Sequence, residues 1–208
     1  MITLYHVPGS RSMRSLWLLH ELGLEFERVE MPFDLTYLRA PDYLAVHPLG
    51  RVPALRDGDV TLFESGAICQ YLCEHYDNGE MGRAANHAER NEWLQWVHFA
   101  ETLAVHGAAL LQQQVFIKPE ERSEVIQKLE SRRLAKAFEV LDAHLANSKY
   151  LLPSGFSSAD IGVGYSVYLG NGFVTLDAHP NLERYMERLK QRPAFKSSEP
   201  GVEWQASQ

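Results

Sequence analysis

The chain has 208 residues, 45% of them hydrophobic, enough to bury a sizeable core in one large or two small domains. Its formal net charge of −7 argues against a nucleic-acid partner, which needs a basic face. No stretch approaches the ~20 apolar residues of a membrane span, and the first residues lack the charged and apolar regions of a signal peptide, so a cytoplasmic protein with no membrane partner is expected.

In chain order, 2–5 reads as a short strand and Val7-Pro8-Gly9 as a turn. Over 10–22, Met13, Leu16, Trp17 and the run 19–22 recur with helical period, and Gly23 supplies a C-terminal stop. Residues 26–31 return as a strand. A weaker helix over 36–46 is interrupted by Pro41. The segments 54–56 and 60–63 form a hairpin around Asp57-Gly58-Asp59, and 65–76 closes the unit as a helix. This βαβαββα order is that of a thioredoxin-like domain. Residues 78–85 are a polar, glycine-containing linker. Beyond them the period is helical, over 88–115, 120–145, 159–173 and 182–189. The fold class is therefore α/β followed by all-α, with domains at 1–78 and 86–208, and 199–208 a loosely tied tail. Cys69 and Cys73 lie four apart in an apolar helical pattern and read as buried, reduced thiols. No further Cys or His stands at zinc-ligand spacing, so no metal is expected.

The densest signal is HPLGRVPALRDGDVTLFESGA, from His47 to Ala67. Pro53 has no N–H and belongs at a strand start. It pushes Val52 into extended geometry, leaving a free N–H and C=O that can pair with the backbone of a bound peptide. Ser65, at a helix start, offers a hydroxyl, N–H groups and the helix dipole to a carboxylate, and Glu64 offers a partner for an ammonium. Together these describe a receptor for a small peptide with an α-amino acid end.

That pattern resembles the glutathione-binding half of cytosolic glutathione S-transferases, and the two-domain order extends the resemblance over nearly the whole chain. Ser10-Arg11 at the first helix, with LRAPDYLAVHPLGRVPAL and LFESGAICQYL, is similar to a bacterial and fungal branch of that family. The resemblance implies a cis Pro53, with the Glu64-Ser65 pair holding the γ-glutamyl end. It also implies glutathione as co-substrate, a small hydrophobic electrophile as second substrate, and a homodimer. Glu101, on the long first helix of the second domain, is a candidate to reach the neighbouring subunit's glutathione.

The reaction needs the thiol of glutathione as thiolate, and a free thiol near pKa ~8.5 is mostly protonated at neutral pH. Ser10 is either a donor to the sulfur or a plain helix N-cap; Met13 is not the Glu or Gln of a reciprocal capping box. Ser12, Tyr5 and a backbone amide are rival donors. Arg11 and Arg14 sit in the first turn, where cations oppose the dipole, which suggests an anion to serve. No cysteine occupies the 9–12 turn, which counts against the cysteine-dependent branches. Arg51 is a candidate for the glycyl carboxylate, with His47 beside it. Trp96, Phe99 and Phe116 are candidates to line an electrophile pocket, or are core. Ser157 and Asp160 form a capping box, a folding element in the family. The activity expected is attack of the thiolate on an electrophile or reduction of a hydroperoxide. Isomerisation, dehalogenation and a non-enzymatic partner module are the alternatives.

Overall fold

The computed structural model describes residues 1–77 and 79–199; of the expected tail only Glu199 lies among them, and Asn78 of the linker does not. The described residues fall into two compact units, Met1–Ala84 with 192–199, and Ala85–Gln191.

The first unit is a four-stranded mixed sheet with helices. Strand β1 is Ile2–His6, β2 is Phe26–Glu30, β3 is Ala54–Asp57 and β4 is Val60–Phe63, in the order β2-β1-β3-β4. β1 pairs parallel with β2 and antiparallel with β3, and β3 pairs antiparallel with β4. Alternation along β1 buries Ile2, Leu4 and His6 on one face. Helix α1, Ser12–Glu21, buries every residue from Ser12 to Leu19, so it is core on almost all sides. It ends in a Schellman motif: Gly23 has φ +63, its N–H donates to the His20 carbonyl, and Leu24 N–H donates to that of Leu19. The weak 36–46 helix is two short ones, α2 (Leu35–Leu38) and α3 (Pro41–Leu44), parted where Pro41 begins a new first turn. Helix α4, Ser65–Tyr76, carries Cys69 and Cys73, both buried and neither in a disulfide.

The second unit is all helical: α5 (Arg90–Val115), α6 (Glu124–Leu145), α7 (Ser158–Gly170) and α8 (Pro180–Lys190). A 3-10 turn at Pro119–Glu121 precedes α6. Trp93, Phe138, Tyr165 and Tyr185 are fully buried here, and the Trp93 indole N–H donates to Ser158 Oγ at 3.0 Å. The N-terminus of α7 carries the Ser157/Asp160 capping box.

One element departs from the sequence reading. Helix α9, Pro193–Ser198, belongs to the first unit and not to the helical stretch after 86. Phe195 is fully buried with its ring edge-on to Trp17 at 4.9 Å. Arg192 grips Glu21 with two hydrogen bonds, Nε to Oε1 at 2.6 Å and Nη2 to Oε2 at 2.8 Å, while the Trp17 indole N–H donates to Glu21 Oε1 at 2.8 Å. Six residues between two prolines give too little periodicity to be read as a helix. Arg192→Ala strips the buried Glu21 carboxylate of two of these donors. It is expected to cost about 1–2 kcal/mol, seen as a fall of roughly 3–6 °C in the melting temperature by circular dichroism.

Candidate functional site

Strand register gathers the candidate residues of the first unit. Tyr5 pairs with Ala54, and Ala54 with Phe63. β1 ends one residue past this row, β3 begins there and β4 ends there. The 7–11 turn, Val52-Pro53 and Glu64-Ser65 are therefore the three connections at one end of the sheet.

The Val52-Pro53 bond is cis. Among the described residues nothing hydrogen-bonds to the Val52 N–H or C=O. The side chain of Val52 packs with Tyr5 and Met31 against Leu38, Tyr43, Val46 and Ala54. The preceding loop is fixed: Tyr43 O–H donates to the Arg51 carbonyl at 2.6 Å, and Gly50 N–H to that of His47 at 2.8 Å. Gly50 has φ +58, and a Cβ there would run into the Leu38 carbonyl oxygen, so only glycine fits. His47 is buried, accepts from Leu49 N–H at 3.2 Å and lies 4.9 Å from the Phe63 ring. Burial holds its pKa below the ordinary value, against the opposing pull of Glu64. The Arg51 side chain is exposed.

Glu64 is the N-cap of α4 and the one non-glycine residue with positive φ (+75) among the described residues. Such backbone costs of order 1–3 kcal/mol and concentrates at functional sites. Ile68 N–H makes the first helical bond, to the Glu64 carbonyl, so the amides of the first turn point past the helix end. Ser65 is buried, and its hydroxyl oxygen accepts from Arg14 Nη1 at 3.1 Å, with Arg14 itself buried in α1. That bond joins α1 to the start of α4 and gives the first-turn arginine a partner that spacing alone did not indicate.

The first helix begins at Ser12 with Arg11 as N-cap, two residues later than periodicity predicts. Ser10 stands in the turn before it, half-buried. Its carbonyl accepts from Met13 N–H at 3.0 Å and its hydroxyl oxygen from Ser12 N–H at 3.2 Å. It is thus a turn residue outside the helix. Arg11 makes no side-chain capping bond. Tyr5 packs its ring 5.4 Å from that of Tyr43. Ser12 is fully buried with its hydroxyl among Ser10 Oγ, His6 Nδ1 and the Val7 main chain.

In the second unit, Trp96 is buried with Phe99 edge-on at 5.4 Å and the His144 ring at 4.6 Å. Phe116 is the exposed C-cap of α5, twenty residues further on or ~30 Å along the helix. The three aromatics therefore do not form one pocket. Glu101 is half-buried on α5. Among the described residues no cluster of three or more His, Cys, Asp or Glu is placed to hold a metal, and no helix is long and apolar enough to cross a membrane.

Family models match both parts of the chain: the glutathione S-transferase N-terminal domain over residues 1–74 and the C-terminal domain over 109–193. A curated relative, glutathione S-transferase GstB of Escherichia coli K12, is 32% identical over 94% of this chain and 96% of its own length. The chain belongs to the glutathione S-transferase family. Glutathione S-transferase 3 of Zea mays is 34% identical over 95% of this chain and 92% of its own. A family member from Pseudomonas fluorescens, solved with two glutathione bound, superposes with a TM-score of 0.87 at 25% identity, over 95% of this chain and 91% of that one. The four-stranded sheet and the helical unit of this transferase are the family's fold.

Sequence reasoning missed the Arg14–Ser65 bond and the contacts of His6. For His6 a signal exists: it shares parity with Ile2 and Leu4 on β1, so alternation puts a polar ring on the buried face. For Arg14 there is none, since its partner is 51 residues away.

Proposed function

We propose that this glutathione S-transferase binds glutathione at the end of its sheet marked by Tyr5, Ala54 and Phe63. There it converts the thiol to thiolate for attack on a small apolar electrophile or for reduction of a hydroperoxide. The observation that carries this reading is the unpaired main chain of Val52 beside the cis proline, at the sheet end that also presents Ser65. Burying or half-burying such groups without partners is unfavourable, and an extended peptide laid antiparallel satisfies both.

The cysteinyl unit pairs with Val52. Ser65 and the first-turn amides of α4 take the γ-glutamyl carboxylate, and Glu64 takes its ammonium. Arg51 takes the glycyl carboxylate, with His47 and Pro53 shaping the loop between. Ser10 donates to the sulfur, and Arg11 adds positive charge nearby. The chain's contribution is orientation and stabilisation of the thiolate, because the attacking sulfur is glutathione's own. The helical unit supplies apolar surface for the electrophile, with Trp96 and Phe99 as the first residues to test and Phe116 as a separate one. On the Ser-Arg pair we propose membership of the bacterial and fungal branch, and we propose the cytoplasm as the location.

The test is retention on immobilised glutathione, then turnover with an aryl halide and with a hydroperoxide. Binding without turnover of either would favour a non-enzymatic module. Ser10→Ala is expected to raise the pKa of the bound thiol by about one pH unit, read from thiolate absorbance against pH. Its turnover at neutral pH falls in step while the glutathione KM moves little.

We further propose a homodimer. Val60, Phe63 and Tyr76 are each close to 40% exposed on β4 and α4, apolar surface that a two-fold partner would cover. Light scattering at micromolar protein should give twice the chain mass, and a monomer there would remove this proposal and the role of Glu101 with it.

A further inference from the structure

The Ser10 hydroxyl is the outer end of a hydrogen-bonded chain that runs into the core. Ser10 Oγ lies 2.7 Å from Ser12 Oγ, and Ser12 Oγ lies 2.8 Å from Nδ1 of His6. Ser12 is fully buried and His6 nearly so. Val7 holds the middle link, its N–H donating to Ser12 Oγ at 3.2 Å and its carbonyl within 3.2 Å as an acceptor.

A hydroxyl has one proton and two lone pairs, and a neutral imidazole has one N–H. With the Ser10–Ser12 and Ser12–His6 links both made, these limits allow only two arrangements of the chain. In the first, His6 carries its proton on Nδ1 and donates to Ser12 Oγ. Both lone pairs of Ser12 are then filled, by Val7 N–H and by His6. Its own proton goes to Ser10 Oγ, the nearer of its two acceptors. Ser10 already accepts from Ser12 N–H at 3.2 Å, so both its lone pairs are filled as well. Its proton is left to point outward, and toward a ligand Ser10 is a donor only.

In the second arrangement His6 is protonated on Nε2 and Nδ1 accepts from Ser12. Ser10 then donates inward to Ser12 and turns a lone pair outward. An outward lone pair stabilises a thiol S–H; an outward proton stabilises a thiolate.

We propose that His6 and Ser12 are positioning residues which, by the Nδ1–H arrangement, make the Ser10 hydroxyl an obligate donor to the glutathione sulfur. The inference rests on the reading that Ser10 meets that sulfur. The neutral imidazole it requires is favoured by burial and, secondarily, by the Arg28 guanidinium on β2, which hold the His6 pKa down to about 4. A negative sulfur at the outer end favours the same arrangement, each bond polarising the next. His6 thus serves the sulfur without touching it.

The readout is the pKa of the bound thiol from thiolate absorbance, which a purely structural role in the turn would not move. Ser10→Ala raises it by about one pH unit. Ser12→Ala and His6→Phe, with Ser10 intact, are expected to raise it by a smaller amount, about 10–30% of that shift. Ser12→Thr restores the hydroxyl and the wild-type value. His6→Asn, which returns an N–H near the place of Nδ1, restores most of it. Because Ser12 acts through Ser10, Ser12→Ala adds nothing in the Ser10→Ala background. If one of the two inner variants does not fold, the variants at the other position carry the same measurement.

Three results overturn the proposal. A wild-type pKa in both Ser12→Ala and His6→Phe, with Ser10→Ala shifted, removes the relay and leaves the role of Ser10 standing. An equal shift from Ser12→Ala with and without Ser10 means Ser12 acts on the sulfur itself. No shift in Ser10→Ala removes the relay and the parent reading together.

Discussion

Asp160→Ala is expected to destabilise the helical unit by about 3–5 kcal/mol, a fall of roughly 8–15 °C in melting temperature. The Asp160 carboxylate is fully buried and collects four donors. Oδ1 accepts from Leu151 N–H and Tyr185 O–H, each at 3.0 Å; Oδ2 accepts from Ser157 N–H at 2.8 Å and Ser157 O–H at 3.2 Å. Removing the carboxylate leaves buried donors with no acceptor, which costs more than the lost bonds themselves. Burial pushes the Asp160 pKa up to about 6 against the pull of those donors. The folded state therefore binds a proton that the unfolded state releases between pH ~4 and ~6. In that window the contribution of Asp160 to stability is fullest at the acid end and declines as pH rises through 6, by of order 3 kcal/mol in all. Asp160→Asn should abolish this slope and still destabilise, because its amide turns a donor toward donors. A melting temperature that declines equally between pH 4 and 6 in wild type and Asp160→Asn would assign the slope to other groups.

The box at Ser157 and Asp160 was legible because a capping box is local: three residues fix the side chains, the helix start and the register together. The same holds for Gly23 as a helix stop, for the Pro41 break and for the hairpin around Gly58. Each is dictated by a residue's own backbone preferences. The candidate site was legible for a related reason. Val52-Pro53 and Glu64-Ser65 flank one hairpin, and the register that brings them to one end of the sheet follows from hairpin length.

What sequence could not give are contacts made across the chain. Phe195 seats against Trp17, and Arg192 reaches Glu21, 171 residues back in sequence. No local period encodes that closure, so 193–198 was not read as a helix and fell inside the expected 86–208 domain. Arg14 is a similar case. Its position in the first turn of α1 looks unfavourable until Ser65 is found within 3.1 Å of its guanidinium. Trp96, Phe99 and Phe116 were candidates for a pocket or for core, and periodicity could not say which; twenty residues of rise separate Trp96 from Phe116.

Ser65→Ala is expected to weaken glutathione binding by about 10- to 100-fold, the scale of one hydrogen bond to a charged group. Ser65 Oγ accepts from Arg14 Nη1, which occupies a lone pair and leaves the hydroxyl proton to donate to a carboxylate. Alanine removes that donor and deprives the buried Arg14 of this acceptor, while the first-turn amides of α4 and the main chain of Val52 stay in place. Binding is therefore reduced and not abolished. Ser65 is the first residue of α4 and Glu64 is its N-cap, so the helix keeps its start, and the acceptor lost to the buried Arg14 is expected to cost about 1–3 kcal/mol, a fall of roughly 3–8 °C in melting temperature. Calorimetry with glutathione and with the dipeptide Cys-Gly separates the possibilities, because the dipeptide lacks the γ-glutamyl carboxylate. Glutathione affinity should fall in Ser65→Ala with that of Cys-Gly unchanged, and Ser65→Thr should recover it. Equal loss for both ligands would mean Ser65 supports the loop and does not read the carboxylate. No loss for glutathione would place the γ-glutamyl end elsewhere, leaving the strained Glu64 turn without the ligand that explains it.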